Sequence, residues 1–176
     1  GESGGQKGDT GSVIWVTGSG TVENVFNIGG FIIHEVVVEE GELSVNQSLK
    51  LSVCSDNRKK IRSNHSATHL LHQALRNNLG EHIEQRGSLN GPDRLRFDFS
   101  HNSPVPIIEL EKVQNEVNEL VRQNSKVITN ILGLNQAREL GARALFGEKY
   151  DNDVRVVSIG MQKRSGLGLS GDSYSL

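Results

Sequence analysis

Cysteine is all but missing from this chain: Cys54 is the single thiol among 176 residues. One thiol excludes a disulfide framework within the chain and suits a reducing compartment. No run approaches the roughly 18 apolar residues of a membrane-spanning helix, and no signal peptide is visible. The expectation is a soluble, cytoplasmic protein with no membrane contact. Charge of either sign is not in excess. With 19 Lys and Arg against 21 Asp and Glu the net charge is −2, so contact with nucleic acid must rest on local basic patches. Aromatic residues supply only 5%, while 35% hydrophobic and 23% charged residues are ordinary for a globular chain. This length makes one large domain or two small ones. The chain opens on Gly1 rather than Met and closes on SYSL, and it reads as an excised piece of a longer protein.

The informative stretch is 64–79, NHSATHLLHQALRNNL. At about 100° per residue, Ala67, Leu70, Leu71, Ala74 and Leu75 gather on one apolar face, and His65, His69 and His72 fall on the opposite one. Thr68 stands at the edge of the histidine row. One side of this helix packs, and the other presents imidazoles. His65 and His69 are i, i+4, the spacing at which two ring nitrogens can converge on one metal ion. A helical surface that merely carries three histidines gives the same short pattern. Against that reading, half of the six histidines fall within eight residues, and polar Gln85, Arg94, Arg96 and His101 follow on predicted strands. A metalloprotease is excluded. Its HExxH motif needs a Glu general base after the first His, and position 66 is Ser.

Upstream, residues 1–11, GESGGQKGDTG, hold five glycines. They read either as a flexible linker or as a loop where another backbone approaches closely, with Gln6 and Asp9 as fixed polar groups. Neither GxGxxG nor GxxxxGK[ST] occurs there, so a nucleotide-phosphate loop is unsupported. VIWV, TVENVF, FIIHEVVV and SLKLSV then read as short strands separated by TGSG and NIGG turns, which suggests a small antiparallel barrel. His34 and Cys54 fall in or beside these strands, where packing is the default role. Residues 56–62, DNRKKIR, read as the connector to the histidine helix. Arg58, Lys59, Lys60 and Arg62 make it either a solvated link or a phosphate-steering patch.

Downstream, IEQRGSL and RLRFDFSH read as strands around the turn NGPD. Pro106 opens an amphipathic helix in which Leu110, Val113, Val117, Leu120 and Val121 keep helical spacing. VITNI reads as a strand, NQARELGARALFG as a short helix ended by glycine, and DVRVVSIG as a last buried strand. Residues 161–176 are Gly- and Ser-rich and read as a mobile loop. The fold class expected is α+β: a small antiparallel β-barrel-like subdomain over 1–57, then a two-layer α/β sandwich over 58–176.

Taken together, ESGGQKGDTG, NHSATHLLHQALR, GSL followed by LRFDFSH, and ALFGEKYDNDVRVVSIG resemble the editing domain of bacterial alanyl-tRNA synthetases. The resemblance covers nearly the whole chain. Free-standing editing proteins and the threonyl-tRNA synthetase editing domain share the HxxxH helix, but the ALFGEKY segment is more typical of the synthetase. The resemblance implies a parent enzyme that ligates alanine to tRNA(Ala) with ATP and Mg2+ in a separate domain. The editing domain hydrolyses tRNA(Ala) wrongly charged with serine or glycine. A zinc ion would be held by His65 and His69 together with Cys and His of a later Cys-Gly-Gly-Thr-His motif. Thr68 would sense the serine hydroxyl, Gln85 would lie near the substrate, and Gly4, Gly5 and Gln6 would lie at the same pocket. His72 and His101 are candidates for supporting the site, or for packing. The partner implied is the tRNA acceptor end, with no protein partner evident. One departure is plain: the sequence contains no Cys-Gly-Gly-Thr-His motif. A module that holds the acceptor end without catalysis is the competing reading.

Overall fold

The computed structural model of the chain describes residues 2, 5–140, 142 and 151–159, and the backbone of 173–175. They form two compact units. The first comprises Gly1–Thr68 and Gly87–Phe97, the second His69–Arg86 and Asp98–Leu176. The long helix and one hairpin contribute residues to both.

The first unit is built on an antiparallel sheet of β1 (Gly11–Trp15), β2 (Gly18–Ile28), β3 (Phe31–Glu40) and β4 (Lys50–Val53), in the order β3-β2-β1-β4. Alternation buries one face of β1 and β2, while β3 and β4 are exposed along nearly all of their length. In β1, Val13 and Trp15 are buried while Ser12 and Ile14 face out, and Val22 and Val25 of β2 complete the cluster. The β2–β3 hairpin turns on Gly29 and Gly30, which both take positive φ and pair Ile28 with Phe31. Two-residue turns of this kind match the twist of the flanking strands. The sheet is open, with β3 and β4 as its edges, so the barrel-like expectation resolves to an unclosed four-stranded sheet.

Helix α1 runs Ser55–Leu79, 25 residues. The connector expected at 56–62 is therefore helical. No Gly or Pro interrupts 55–79, and Asp56 places an acid in the first turn, where the helix dipole favours it. Ile61, Leu70, Ala74 and Leu75 are buried along its length, with Ala67 and Leu71 half-buried. Strands β5 (Gln85–Asn90) and β6 (Leu95–Phe99) follow as a hairpin closed by a Gly91–Arg94 backbone bond.

In the second unit, α2 (Ile107–Gln123) starts after Pro106 and ends at Asn124 in the left-handed conformation. Glu116 of α2 receives both Asn77 and Asn78 on its two carboxylate oxygens, 2.6 Å each. Of the expected apolar stripe, Val113 is buried, Val117 and Leu120 are half-buried, and Leu110 and Val121 remain exposed. Strands β7 (Val127–Gly133) and β8 (Asp153–Ile159) are antiparallel, and helix α3 (Leu134–Glu139) puts Ala137 against Val154 and Val156. A third strand, β9 (Ser173–Ser175), pairs with Val157–Ile159. This corrects the loop expectation there, because three alternating residues suffice to extend a ladder that β8 already offers. The remainder of that expected loop, and the expected helical residues 143–146, lie outside the described residues.

Candidate functional site

The glycine-rich segment is not a linker. Gly5 takes φ +77°, and a Cβ there would run into the side chain and carbonyl of Ser88 on β5. Its carbonyl accepts from the Asn90 N–H at 2.8 Å, and the Lys7 N–H donates to the Asn90 carbonyl at 3.0 Å. Gln6 is thereby held in a parallel bridge to Asn90. Gly8 is buried with its Cα against the Val25 carbonyl, again leaving no room for a side chain.

Held this way, residues 6–10 run antiparallel to the first half of α1. Gln6 Oε1 lies 2.9 Å from His65 Nδ1, Asp9 pairs with Arg58 at 3.4 Å, and Thr10 Oγ1 accepts from Asn57 at 2.9 Å. The lengths agree. Four steps of near-extended chain span about 13 Å, and the eight helical steps from Asn57 to His65 span about 12 Å. The segment is a strap fitted to the helix.

His65 is half-buried, and its environment fixes its chemistry. A glutamine carbonyl oxygen only accepts, so this contact calls for the proton on His65 Nδ1. Burial, and after it the nearby Arg58 guanidinium, hold the imidazole pKa below the ordinary histidine value. Both favour the neutral ring over the charged one.

Thr68, one turn further on, is 4% exposed. Its Oγ1 lies 2.9 Å from the Asn64 carbonyl and 2.6 Å from Asn90 Oδ1. Asn90 is 1% exposed, and the Asn64 amide caps the neighbouring Gly91 carbonyl at 2.8 Å. Sequence reading missed Asn90 and Asn64. An Asn before Gly and Pro signals a turn, and that signal hid a residue that ends β5 with its side chain turned inward. Its period-two relation to Ser88 was the available clue.

The structure thus brings together Gly5, Gln6, His65 and Thr68 of the expected residues, and adds Asn90. Gly4 lies outside the described residues. Arg58 is engaged by Asp9, whereas Lys59, Lys60 and Arg62 are exposed, with Lys59 3.9 Å from Asp56. His69 continues α1 one turn after His65, and Gln85 opens β5; both belong to the second unit and both are half-buried. His72 lies 3.4 Å from the Ile83 carbonyl, which Arg76 also caps at 3.0 Å. His101 stacks on His82 with ring centres 5.2 Å apart and nitrogens at 3.0 Å. In the first unit, His34 lines a cavity of about 130 Å³ with Asp9, Thr10 and Ser52, and Cys54 donates its N–H to the Thr10 carbonyl. Among the described residues no group of three or more His, Cys, Asp or Glu side chains is placed to hold a metal.

Comparison with known proteins places this geometry in context. No family model matches the chain. It is 54% identical over 176 residues, its full length, to the alanine–tRNA ligase of Paracoccus denitrificans, and covers 20% of that protein. It is 52% identical over 175 residues to the alanine–tRNA ligase of Dinoroseobacter shibae, covering 99% of the chain and 20% of the relative. Against that of Bradyrhizobium diazoefficiens the identity is 49% over 168 residues, covering 93% of the chain and 18% of the relative. The chain therefore spans about a fifth of the length of the curated relatives it matches.

Proposed function

We propose, from the premise that the chain belongs to the bacterial alanine–tRNA ligase family as a segment about a fifth of its members' length, that it carries the family's editing site. The whole ligase attaches alanine to tRNA(Ala) at the expense of ATP, with Mg2+, in a domain outside this segment. This segment hydrolyses the ester of tRNA(Ala) wrongly charged with serine or glycine, in the cytoplasm. Residues 1–57 supply the strap and sheet, and residues 58–176 supply the deacylase-like domain. The observation that carries the reading is the strap itself, since it orients the His65 imidazole on the helix that buries the Thr68 hydroxyl.

The roles follow from chemistry. An apolar pocket discriminates poorly against an added hydroxyl, so rejecting a seryl ester while sparing an alanyl one needs a polar partner. Thr68 is that partner. Gln6 orients the His65 ring, Gly4 and Gly5 belong to the same pocket, and Gln85 lies near the substrate. Arg58, Lys59, Lys60 and Arg62 steer the phosphates of the acceptor end, the exposed three by direct contact and Arg58 more weakly, since Asp9 offsets its charge.

The donor chemistry at His65 suits zinc. Gln6 holds the ring at Nδ1, and a carbonyl partner on one nitrogen is the usual support of a metal-bound histidine. His65 and His69 would hold the ion. When bound it would lower the pKa of a water or hold the substrate's amino group. Two imidazoles are short of the three or four ligands such an ion takes, and this favours a second reading, a module that grips the acceptor end without cutting. Single-turnover deacylation of seryl-tRNA(Ala) by the full-length ligase separates the two: hydrolysis supports the editing site, and tight binding with no hydrolysis supports the grip.

A further inference from the structure

We propose that Asn90 is a positioning residue that sets the direction of the Thr68 hydroxyl, so that Thr68 meets its substrate as a hydrogen-bond acceptor only. This rests on the editing reading above and deepens it. A threonine hydroxyl has one proton and two lone pairs. Two partners lie within reach of Thr68 Oγ1, the Asn64 carbonyl at 2.9 Å and the Asn90 carboxamide at 2.6 Å. The Asn64 carbonyl only accepts. The Asn90 contact is the shorter, and donation there commits the proton to β5 and leaves Thr68 only lone pairs to offer; without the carboxamide the proton turns to the Asn64 carbonyl and the lone pairs turn with it. A serine side chain must then donate its own proton to that oxygen. An alanine side chain has none to give, and a bulkier apolar one would leave the buried oxygen without a partner at a cost.

Asn90 does this from a fixed position. Its side chain is almost wholly excluded from solvent, and its backbone N–H and carbonyl bond to Gly5 and Lys7 on either side of Gln6. Gln6 in turn holds His65. One residue therefore ties the hydroxyl that reads the side chain to the strap that orients the imidazole. The backbone bonds survive a change of side chain, which makes the two duties separable.

Asn90→Leu keeps the volume and removes the carboxamide. The test is single-turnover deacylation by the full-length ligase of tRNA(Ala) charged with serine and, separately, with glycine. Glycine has no hydroxyl and makes no use of Thr68. The seryl rate is expected to fall on the order of tenfold, the scale of one missing buried hydrogen bond, while the glycyl rate stays within about twofold. Asn90→Leu combined with Thr68→Val should be no slower on the seryl ester than Thr68→Val alone. An equal fall on both esters would make Asn90 merely structural and overturn the inference while leaving the editing reading standing. Wild-type enzyme inert on both esters would instead remove the editing reading. Should Asn90→Leu fail to fold, Asn90→Ala is judged by the same serine-to-glycine ratio, and an unchanged ratio there overturns the proposal.

Discussion

His65 and Thr68 stand three positions apart on one helix and are treated in opposite ways. Thr68 is buried with its hydroxyl proton engaged, whereas His65 is half-buried with its pKa held below the ordinary histidine value. The second treatment has a consequence for stability. The folded pKa lies below the unfolded value of about 6.5, so the unfolded chain binds the proton first as pH falls. The contribution of neutral His65 is fully present above about pH 6.5 and is lost as pH drops through the lower, folded value. Compared with His65→Gln, which cannot titrate, wild type should therefore lose stability more steeply below pH 6.5. Urea melts of both proteins at pH 7.5 and 5.0 check this, and parallel losses would contradict it. The residues that carry this chemistry were only partly legible. Helical spacing alone put His65 and Thr68 side by side. Gln6 and His65 are 59 positions apart and Asn90 and Thr68 are 22 apart, and no local pattern encodes such pairs.

At the scale of elements, α1 was read well where it is amphipathic and poorly where it is charged. Leu70, Ala74 and Leu75 are buried as periodicity required. The basic run before them carries little apolar signal besides Ile61, so it read as a connector, yet it forms the first turns of the helix. Basic residues there work against the helix dipole, which fits a purpose other than helix stability. If Lys59, Lys60 and Arg62 meet phosphates, reversing two of them to Glu should weaken tRNA binding at low salt. It should also reduce the slope of log affinity against log salt by about one unit for each phosphate no longer neutralised. Filter binding across a salt series measures both, and an unchanged slope would return the run to a solvated surface. Arg58 is left out of that test because Asp9 already engages it. The strap was legible as one of two readings, and close packing at Gly5 decides between them, since only a structure shows what a missing Cβ makes room for.

Across the whole molecule, the α+β class was readable from alternating periodicities. The open edge of the sheet was not, because edge and closed strands share one pattern. The metal question also belongs to this scale. Two imidazoles one turn apart, without a third His, Cys, Asp or Glu grouped with them among the described residues, should hold zinc weakly. The chain as given, after mild dialysis, is expected to carry well under one zinc per molecule by metal analysis. Near-stoichiometric zinc would require a third ligand from residues not yet identified. The central claim, that this segment reads a mischarged side chain through Thr68, is tested most directly by one measurement. Full-length ligase and its Thr68→Val variant are compared for single-turnover hydrolysis of seryl- and alanyl-tRNA(Ala). The account predicts that wild type strongly prefers the seryl ester and that the Val variant loses about 1–3 kcal/mol of that preference. A Val variant that still spares alanyl-tRNA(Ala) as well as wild type does would contradict it.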